Sequence, residues 1–508
     1  MELGSSRVSS DGRPVPRPGG VLALLCAANL LAIFDMEIVG VALPSIQRDF
    51  GLAATETQWI VSANLLAWGG LLLLGGRAAD YFGRRRIFML GLGLFLATSL
   101  LAGLAWNGGV LVAMRALHGV SAALMYPTAL SILMNTFSEG RPRNRALAFW
   151  AGMGGTGSTL GLLLGGAVID RFGWHWGFLL QVPITALMLV MCLVLLPDDR
   201  VTGRPRTMDV TGALSVTAGL GLVVYAVAEA PAAGWTSTRT LGTAALAAAA
   251  LALFALVESR SPTPLVPPRI LRSRLRVGGN LVVFVVTMIA FSMTYLYALY
   301  AQQVLGYSPL EYALSGTVFP VTVIVAAYLG QLVLHRVGFR PVAVTGSLLF
   351  GAGSLWFTRV AVDSSYFGLS FFALLLLGAG LGAGTLAASA AALTDVDERE
   401  AGLASGVNTA TVMVGGGLGV ALVATIAASG TGEVTTALTL TEGFRAGFTA
   451  GVVLSVVCLV LSLVLLGPRR RPGAGTAAEQ DQGGPLRLVV PEPRSGDADQ
   501  PSLKTTER

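Results

Sequence analysis

Fourteen long apolar runs constrain this chain more than anything else in it. About 20 predominantly apolar residues are needed to cross a bilayer as a helix. Runs of that kind stand at 21–43, 58–79, 87–106, 110–136, 146–169, 176–196, 210–229, 240–257, 278–301, 312–334, 341–360, 366–392, 402–428 and 444–467. Inside lipid a segment must satisfy its own backbone, so each run is expected as a helix. Charged residues make up 12% of the chain, about half the roughly 25% of a soluble domain. The mean hydropathy is +0.70. The expected fold class is therefore an all-α integral membrane protein, multi-pass. The 64 glycines suit helices that pack backbone against backbone.

Arginine placement sets the expected orientation. With the termini taken as inside, 24 of the 34 basic residues fall on inner segments, in clusters such as Arg84, Arg85 and Arg86, or Arg469, Arg470 and Arg471. The outer segments hold Arg48, Arg171, Arg239, Arg359 and Arg445. Both termini are expected in the cytoplasm. The net charge of +6 thus reflects topology, and no nucleic-acid partner is implied. One acidic inner loop, TDVDERE (394–400), runs against the bias, but acidic residues weigh little in it. The sequence divides into a polar tail (1–20), six spans (21–196), a linker with two further spans (197–276), six more spans (277–467) and a second polar tail (468–508). Composition leads us to expect both tails to be disordered. Cys26, Cys192 and Cys458 each stand alone in an apolar run, so no metal spacing or disulfide framework is present. The first run is too long for a cleavable leader and lacks a small-x-small site.

Ionisable residues inside spans are functional candidates, because burying a charge at the bilayer centre costs from about 2.5 up to about 17 kcal/mol. Four stand out: Asp35 and Glu37 in the first span, Arg115 and His118 in the fourth. At 1.5 Å per residue from the outer ends, Asp35 lies roughly 13 Å deep, Arg115 about 8 Å and His118 about 12 Å, one common layer. Arg115 and His118, three apart, share a helix face. Asp35 and Glu37, two apart, point about 200° from one another. Asp35 is expected to face the fourth span, and Glu37 a central cavity or an outer vestibule. A purely structural Asp35–Arg115 bridge is the simpler alternative, though it leaves Glu37 unexplained. His118 fits a helix–helix hydrogen bond as well as a proton role.

Several motifs now add up. D35-M-E-I-V-G-V-A-L-P44 resembles the D-x-T-I-V-N-V-A-L-P first-helix motif of the fourteen-helix drug:proton antiporters, a branch of the major facilitator superfamily. G76-R-A-A-D80-Y-F-G83-R84-R85 resembles the superfamily signature between helices 2 and 3. R115-A-L-H-G119 resembles R-x-x-Q-G, and W174-H-W-G-F-L-L-Q-V-P183 resembles W-R-W-x-F-x-x-N-x-P. Y300-A-Q-Q303-V-L-G306-Y-S-P309 resembles the segment leaving the ninth helix. The likeness runs from about residue 20 to 467. Glu37 stands where the family has Thr, Gly40 for Asn, Tyr81 for a basic residue, His118 for Gln and Gln181 for Asn. The fifth-helix antiporter motif keeps glycines Gly157, Gly161, Gly165 and Gly166 but lacks its proline. H335-R-V-G338-F-R340 is a degenerate second-half copy of the signature, as expected of repeats.

The resemblance implies the major facilitator fold: two six-helix bundles plus two linker helices. It implies that Asp35 and Arg115 belong to a proton pathway, to which we add His118. It implies that Gly76, Asp80, Gly83, Arg84 and Arg85 form a cytoplasmic latch holding the outward-open state. The expected function is proton-coupled export of amphipathic, cationic small molecules from a bacterial cytoplasmic membrane, by a monomer. Its partners would be substrate, protons and the lipid bilayer. Glu37, Trp68, Phe291, Tyr295 and Gln303 are candidate substrate contacts. An endogenous metabolite or lipid precursor is the alternative cargo, and a non-transporting receptor or scaffold the alternative class. No enzyme constellation is present, and no cofactor or metal is expected. GAGLGAGT (378–385) looks like a nucleotide loop, but it lies mid-span without strand or acidic context. No Walker motif points to ATP.

Overall fold

A computed structural model describes residues 18–196, 209–234, 236–261, 264–266, 273–394, 396, 400–431 and 436–467. Residues 1–17 of the expected tail 1–20, the expected tail 468–508 and most of the acidic loop lie outside the described residues, while Pro18 to Gly20 already belong to the first helix. Helices fill all fourteen expected places: α1 (Pro18–Phe50), α2 (Ala54–Phe82), α3 (Arg84–Gly103), α4 (Gly108–Thr136), α5 (Arg141–Phe172), α6 (His175–Leu195), α7 (Val210–Ala233), α8 (Thr238–Arg260), α9 (Arg274–Gln303), α10 (Pro309–Val337), α11 (Phe339–Phe357), α12 (Tyr366–Ala392), α13 (Ala401–Thr431) and α14 (Ala437–Leu465). Thirteen are long and apolar enough to cross a membrane. The exception, α11, opens with Arg340 and Pro341 and is rich in Gly and Ser, which dilutes its hydropathy over 19 residues.

The first span ends farther out than the sequence suggested. α1 runs through Pro44 to Phe50 instead of stopping near residue 43. A proline ring normally clashes with the carbonyl four residues back. Here that carbonyl belongs to Gly40, yet the helix continues past the buried Pro44, and Arg48 Nε donates to the Pro44 carbonyl at 3.3 Å.

The two halves pack by one scheme. In the first, α1 lies on α5, and α4 on α2 and α3; in the second, α9 lies on α13, and α12 on α10 and α11. Glycines set the closeness. A Cβ on Gly157 or Gly161 of α5 would stand 2.6 Å from the Leu30 carbonyl oxygen or 2.7 Å from that of Phe34 on α1. On α13, a Cβ on Gly415 would stand 2.6 Å from the Phe284 carbonyl oxygen of α9, and Gly419 meets Met288 in the same way. α5 and α13 are equivalent under the repeat, so the glycine spine occurs twice. The second copy, GGGLG (415–419), has no charge or proline to distinguish it among 64 glycines. The glycines of GAGLGAGT also pack against helices, Gly378 against Phe319 and Gly380 against Phe350.

Between the halves, α2 meets α13 and α5 meets α10, again a symmetric pair of seams. α7 lies along the α2–α13 seam, where Val224 joins Leu66 and Ala421 in one apolar cluster. α8 packs on α7, and an apolar cavity of about 390 Å³ lies behind the pair, lined in part by Gly69, Leu220, Phe284 and Val414.

Candidate proton and substrate site

The ends of α1 and α9 near Phe50 and Gln303 are termed outer, following the arginine bias. At these ends the two halves are joined. Gln303 Nε2 donates to Gln47 Oε1 at 2.8 Å, Gln302 Nε2 to the Val41 carbonyl at 3.1 Å, and Ser62 Oγ to the Gly417 carbonyl at 3.0 Å. Gly166 of α5 lies against Pro309 and Ala313 of α10. Toward the inner side the halves part around a cavity of about 300 Å³, lined by Leu72, Tyr126, Met134, Asn135 and Arg143 on one side and Gly402 to Thr409 of α13 on the other. Among the described residues, side chains join the halves at the ends termed outer, and the cavity lies between them at the ends termed inner.

Within the first bundle the structure brings Asp35, Arg115 and His118 together. α4 starts at Asn107, whose side chain accepts from Val110 N at 2.8 Å. Two turns further in, Arg115 Nη1 donates to Asp35 Oδ2 at 2.7 Å, and Arg115 Nε donates to the Ile60 carbonyl at 3.1 Å. His118 Nε2 lies 3.3 Å from the same Oδ2. Gln181 Nε2 from α6 donates to the other oxygen, Oδ1, at 3.1 Å. All four residues are at most 3% exposed. An isolated buried charge is very costly, and a hydrogen-bonded pair offsets much of that cost. Four helices thus hold one carboxylate, and Phe178 lies beside the guanidinium at 6.0 Å. Gln181, seen in the sequence only as a motif variant, is a full member of the cluster.

Glu37 points away from this cluster. Its Oε1 accepts from Ser158 Oγ at 2.6 Å, and its Cβ lies where Gly161 leaves room. It therefore sits on the α1–α5 contact, within electrostatic reach of Tyr312 of α10 in the other half. The remaining candidates are dispersed. Trp68 is buried behind Tyr126, ring centroids 5.7 Å apart, and Tyr126 lines the inner cavity. Phe291 packs on Gly416. Tyr295 is buried, and its hydroxyl has no partner among the described residues. Gln303 belongs to the outer seal. Tyr126 and Ser158 were not singled out from the sequence: neither carries charge, and such residues are common in these helices.

At the inner turn between α2 and α3, Gly83 adopts φ 98°, a conformation that favours glycine. Gly338 does the same between α10 and α11, at φ 81°. Asp80 pairs with Arg84 at 3.6 Å, its side chain 53% exposed. Arg85 Nη2 donates to the Leu193 carbonyl of α6 at 3.3 Å. Gly76 lies opposite Pro127 of α4.

Two repeated bundles around a one-sided cavity, with charge buried inside one bundle, define a multi-pass membrane transporter. Residues 25–332 and 279–498 match the sequence model of the Major Facilitator Superfamily. The chain is 38% identical over 424 residues to the puromycin resistance protein pur8 of Streptomyces alboniger, covering 82% of this chain and 83% of that one. It is 33% identical over 421 residues to the tetracenomycin C resistance and export protein of Streptomyces glaucescens, covering 82% and 77%. A bacterial homologue of the human lysosomal transporter Spinster, solved inward-facing and unoccupied, shares the fold with a TM-score of 0.63 at 17% identity, over 90% of this chain and 99% of that one. The chain belongs to the Major Facilitator Superfamily and is a transporter, not an enzyme.

Proposed function

We propose that the chain exports amphipathic small molecules of the antibiotic kind, driven by protons entering the cell. The observation that carries the reading is the Asp35–Arg115–His118–Gln181 cluster. A structural tie between α1 and α4 needs one carboxylate and one guanidinium; a second titratable ring on the same carboxylate oxygen suits proton exchange. The resistance and export relatives support the substrate class.

The cycle we infer is alternating access, with the halves rocking about the α1–α9 and α2–α13 contacts. The inner cavity receives substrate in the present state, in a bacterial cytoplasmic membrane with both termini inside. Outward opening breaks the Gln47–Gln303 and Ser62–Gly417 contacts and lets Asp80 and Arg84 to Arg85 latch the inner ends. Glu37, on the α1–α5 contact and within electrostatic reach of Tyr312 in the other half, supplies a counter-charge for cationic cargo. The protein works as a monomer, since each chain holds both halves. In liposomes with an inward proton gradient, a transported dye or antibiotic should trigger internal acidification with wild type and not with Asp35→Asn. Transport without proton movement in wild type would replace this reading with uniport or another coupling ion.

A further inference from the structure

The cavity behind the two linker helices carries one step more, independent of the proton-coupled reading above. It measures about 390 Å³ and takes its walls from five helices, with Leu73 of α2, Leu220 of α7, Phe254 of α8, Phe284 of α9 and Val414 of α13 among them. Two polar side chains, Asn280 and Thr411, stand on these walls. Both are occupied. Asn280 Nδ2 donates to the Arg276 carbonyl at 3.1 Å, Asn280 Oδ1 accepts from Asn408 Nδ2 at 3.2 Å, and Thr411 Oγ1 donates to the Val407 carbonyl at 2.8 Å. A buried water typically needs about three hydrogen bonds, and this surface has few to offer. A hydrocarbon chain needs none.

The cavity opens sideways. Toward the inner cavity between the halves it is walled off, since Leu73 lies on Gly406, and Ala410 and Val414 lie on Gly69. At its inner end it has a floor. Leu265 is buried there, with Arg77 of α2 donating to the Pro264 carbonyl on one side of it and Glu258 of α8 accepting from Val266 N on the other. The mouth lies between α8 and α9. Among the described helices α8 packs closely on α7 alone, although Phe254 of α8 and Leu281 and Phe284 of α9 line the same space. Leu281 at this mouth is exposed, as are Leu253 and Leu256 on α8. Val277 to Phe284 lie roughly 5 to 15 Å from the inner start of α9 at 1.5 Å per residue. That is the depth of one leaflet in a hydrocarbon core about 30 Å thick.

Two exposed arginines stand at the inner end of that gap: Arg260 closes α8 and Arg274 opens α9. Arg274 Nη2 donates to the Val464 carbonyl at 2.8 Å, which leaves other N–H groups of the guanidinium for an anion. Basic residues beside a cleft between membrane helices suit anionic headgroups. We propose that the cavity is a phospholipid site. One acyl chain of an inner-leaflet anionic lipid lies between the linker helices and the α2–α13 seam, with the headgroup at Arg260 and Arg274. The chain fills space that the helices leave between them, and so holds α7 and α8 against both halves. Amphipathic cargo fits the walls less well, because its polar groups would be buried there without partners.

The test is photolabelling. Full-length protein in bilayer discs would be irradiated with phosphatidylglycerol bearing a diazirine at the end of one acyl chain, and the modified residues read by mass spectrometry. Lipid around the protein should label the exposed Leu253 and Leu256. A chain inside the cavity should label Val407, Ala410 and Val414 of α13 as well. Wild type should give both sets. Val216→Trp and, separately, Thr411→Phe, each filling the cavity, should lose the α13 set and keep the other. Arg260→Gln with Arg274→Gln should lower labelling of α13 by about tenfold or more, the scale expected when two basic side chains leave an anionic surface. Adducts confined to Leu253 and Leu256 in wild type overturn the site. A phosphatidylcholine probe with the same chain that labels α13 equally overturns the anionic headgroup. Ethidium monoazide labelling α13 where neither phospholipid does gives the cavity to cargo and overturns the proposal.

Discussion

Asp35 illustrates how one buried residue can be both support and device. Its carboxylate pairs with the Arg115 guanidinium, so deleting either of these two charges alone strands the other in an apolar interior. Removing one member of a buried pair costs about 3–5 kcal/mol. Arg115→Met should therefore lower the thermal midpoint of the detergent-purified protein sharply. Adding Asp35→Asn to it should recover most of the loss, because no buried charge is then left unpaired. A double variant no more stable than Arg115→Met would show that the two groups do not share their burial cost. Glu37 makes a separate prediction. Its only charge-relevant contact among the described hydrogen bonds is the Ser158 hydroxyl, so it is a weak contributor to the fold. Glu37→Gln should keep the protein folded and keep export of neutral compounds, while export of monovalent cations falls. Equal transport of both classes by Glu37→Gln would remove Glu37 from substrate recognition.

At the level of helices, glycine decides where two axes approach. Gly161 has Phe34 and Glu37 of α1 where its Cβ would be, at 2.7 to 2.9 Å from the nearest atoms, whereas Gly93 of α3 faces open space. Gly161→Ala should destabilise by about 1–3 kcal/mol, the usual cost of forcing a methyl group into a filled contact. Gly93→Ala should cost nothing measurable in the same thermal unfolding series. If both are neutral, the α1–α5 contact is looser than its glycine spacing indicates. The same contrast explains what was legible beforehand. Fourteen apolar runs announced fourteen helices, since length and hydropathy alone decide that question in a bilayer. Their ends are less legible: the first apolar run closes at residue 43, beside Pro44, yet the helix passes through that proline to Phe50. In the site, Asp35, Arg115 and His118 stood out because charge is rare inside spans. Ser158 and Gln181 did not, since a hydroxyl or amide in a helix often bonds only to its own backbone, as Thr185 does to Gln181. Nothing in sequence spacing distinguishes such a residue from one that also touches the site.

For the molecule as a whole, the asymmetry between a joined outer end and a parted inner end is the feature to test. Gln47 of α1 and Gln303 of α9 touch through their side chains at 2.8 Å, and they belong to opposite halves. In the proposed cycle, opening to the outside separates them. The three native cysteines, Cys26, Cys192 and Cys458, are all buried, so introduced thiols at the surface can be addressed against a quiet background. In a Gln47→Cys, Gln303→Cys variant, a short bis-thiosulfonate bridge should hold the outer ends together and stop transport, and a reductant should restore it. A third cysteine at Asn135, on the wall of the inner cavity, should stay reactive from the inner side while the bridge is in place. Without the bridge it should become protected as the inner ends close, if Asp80 and Arg84 act as the proposed latch. Were Asn135→Cys protected in the bridged protein, the two ends would close together, and rocking of one half against the other would give way to a mechanism in which each gate moves on its own.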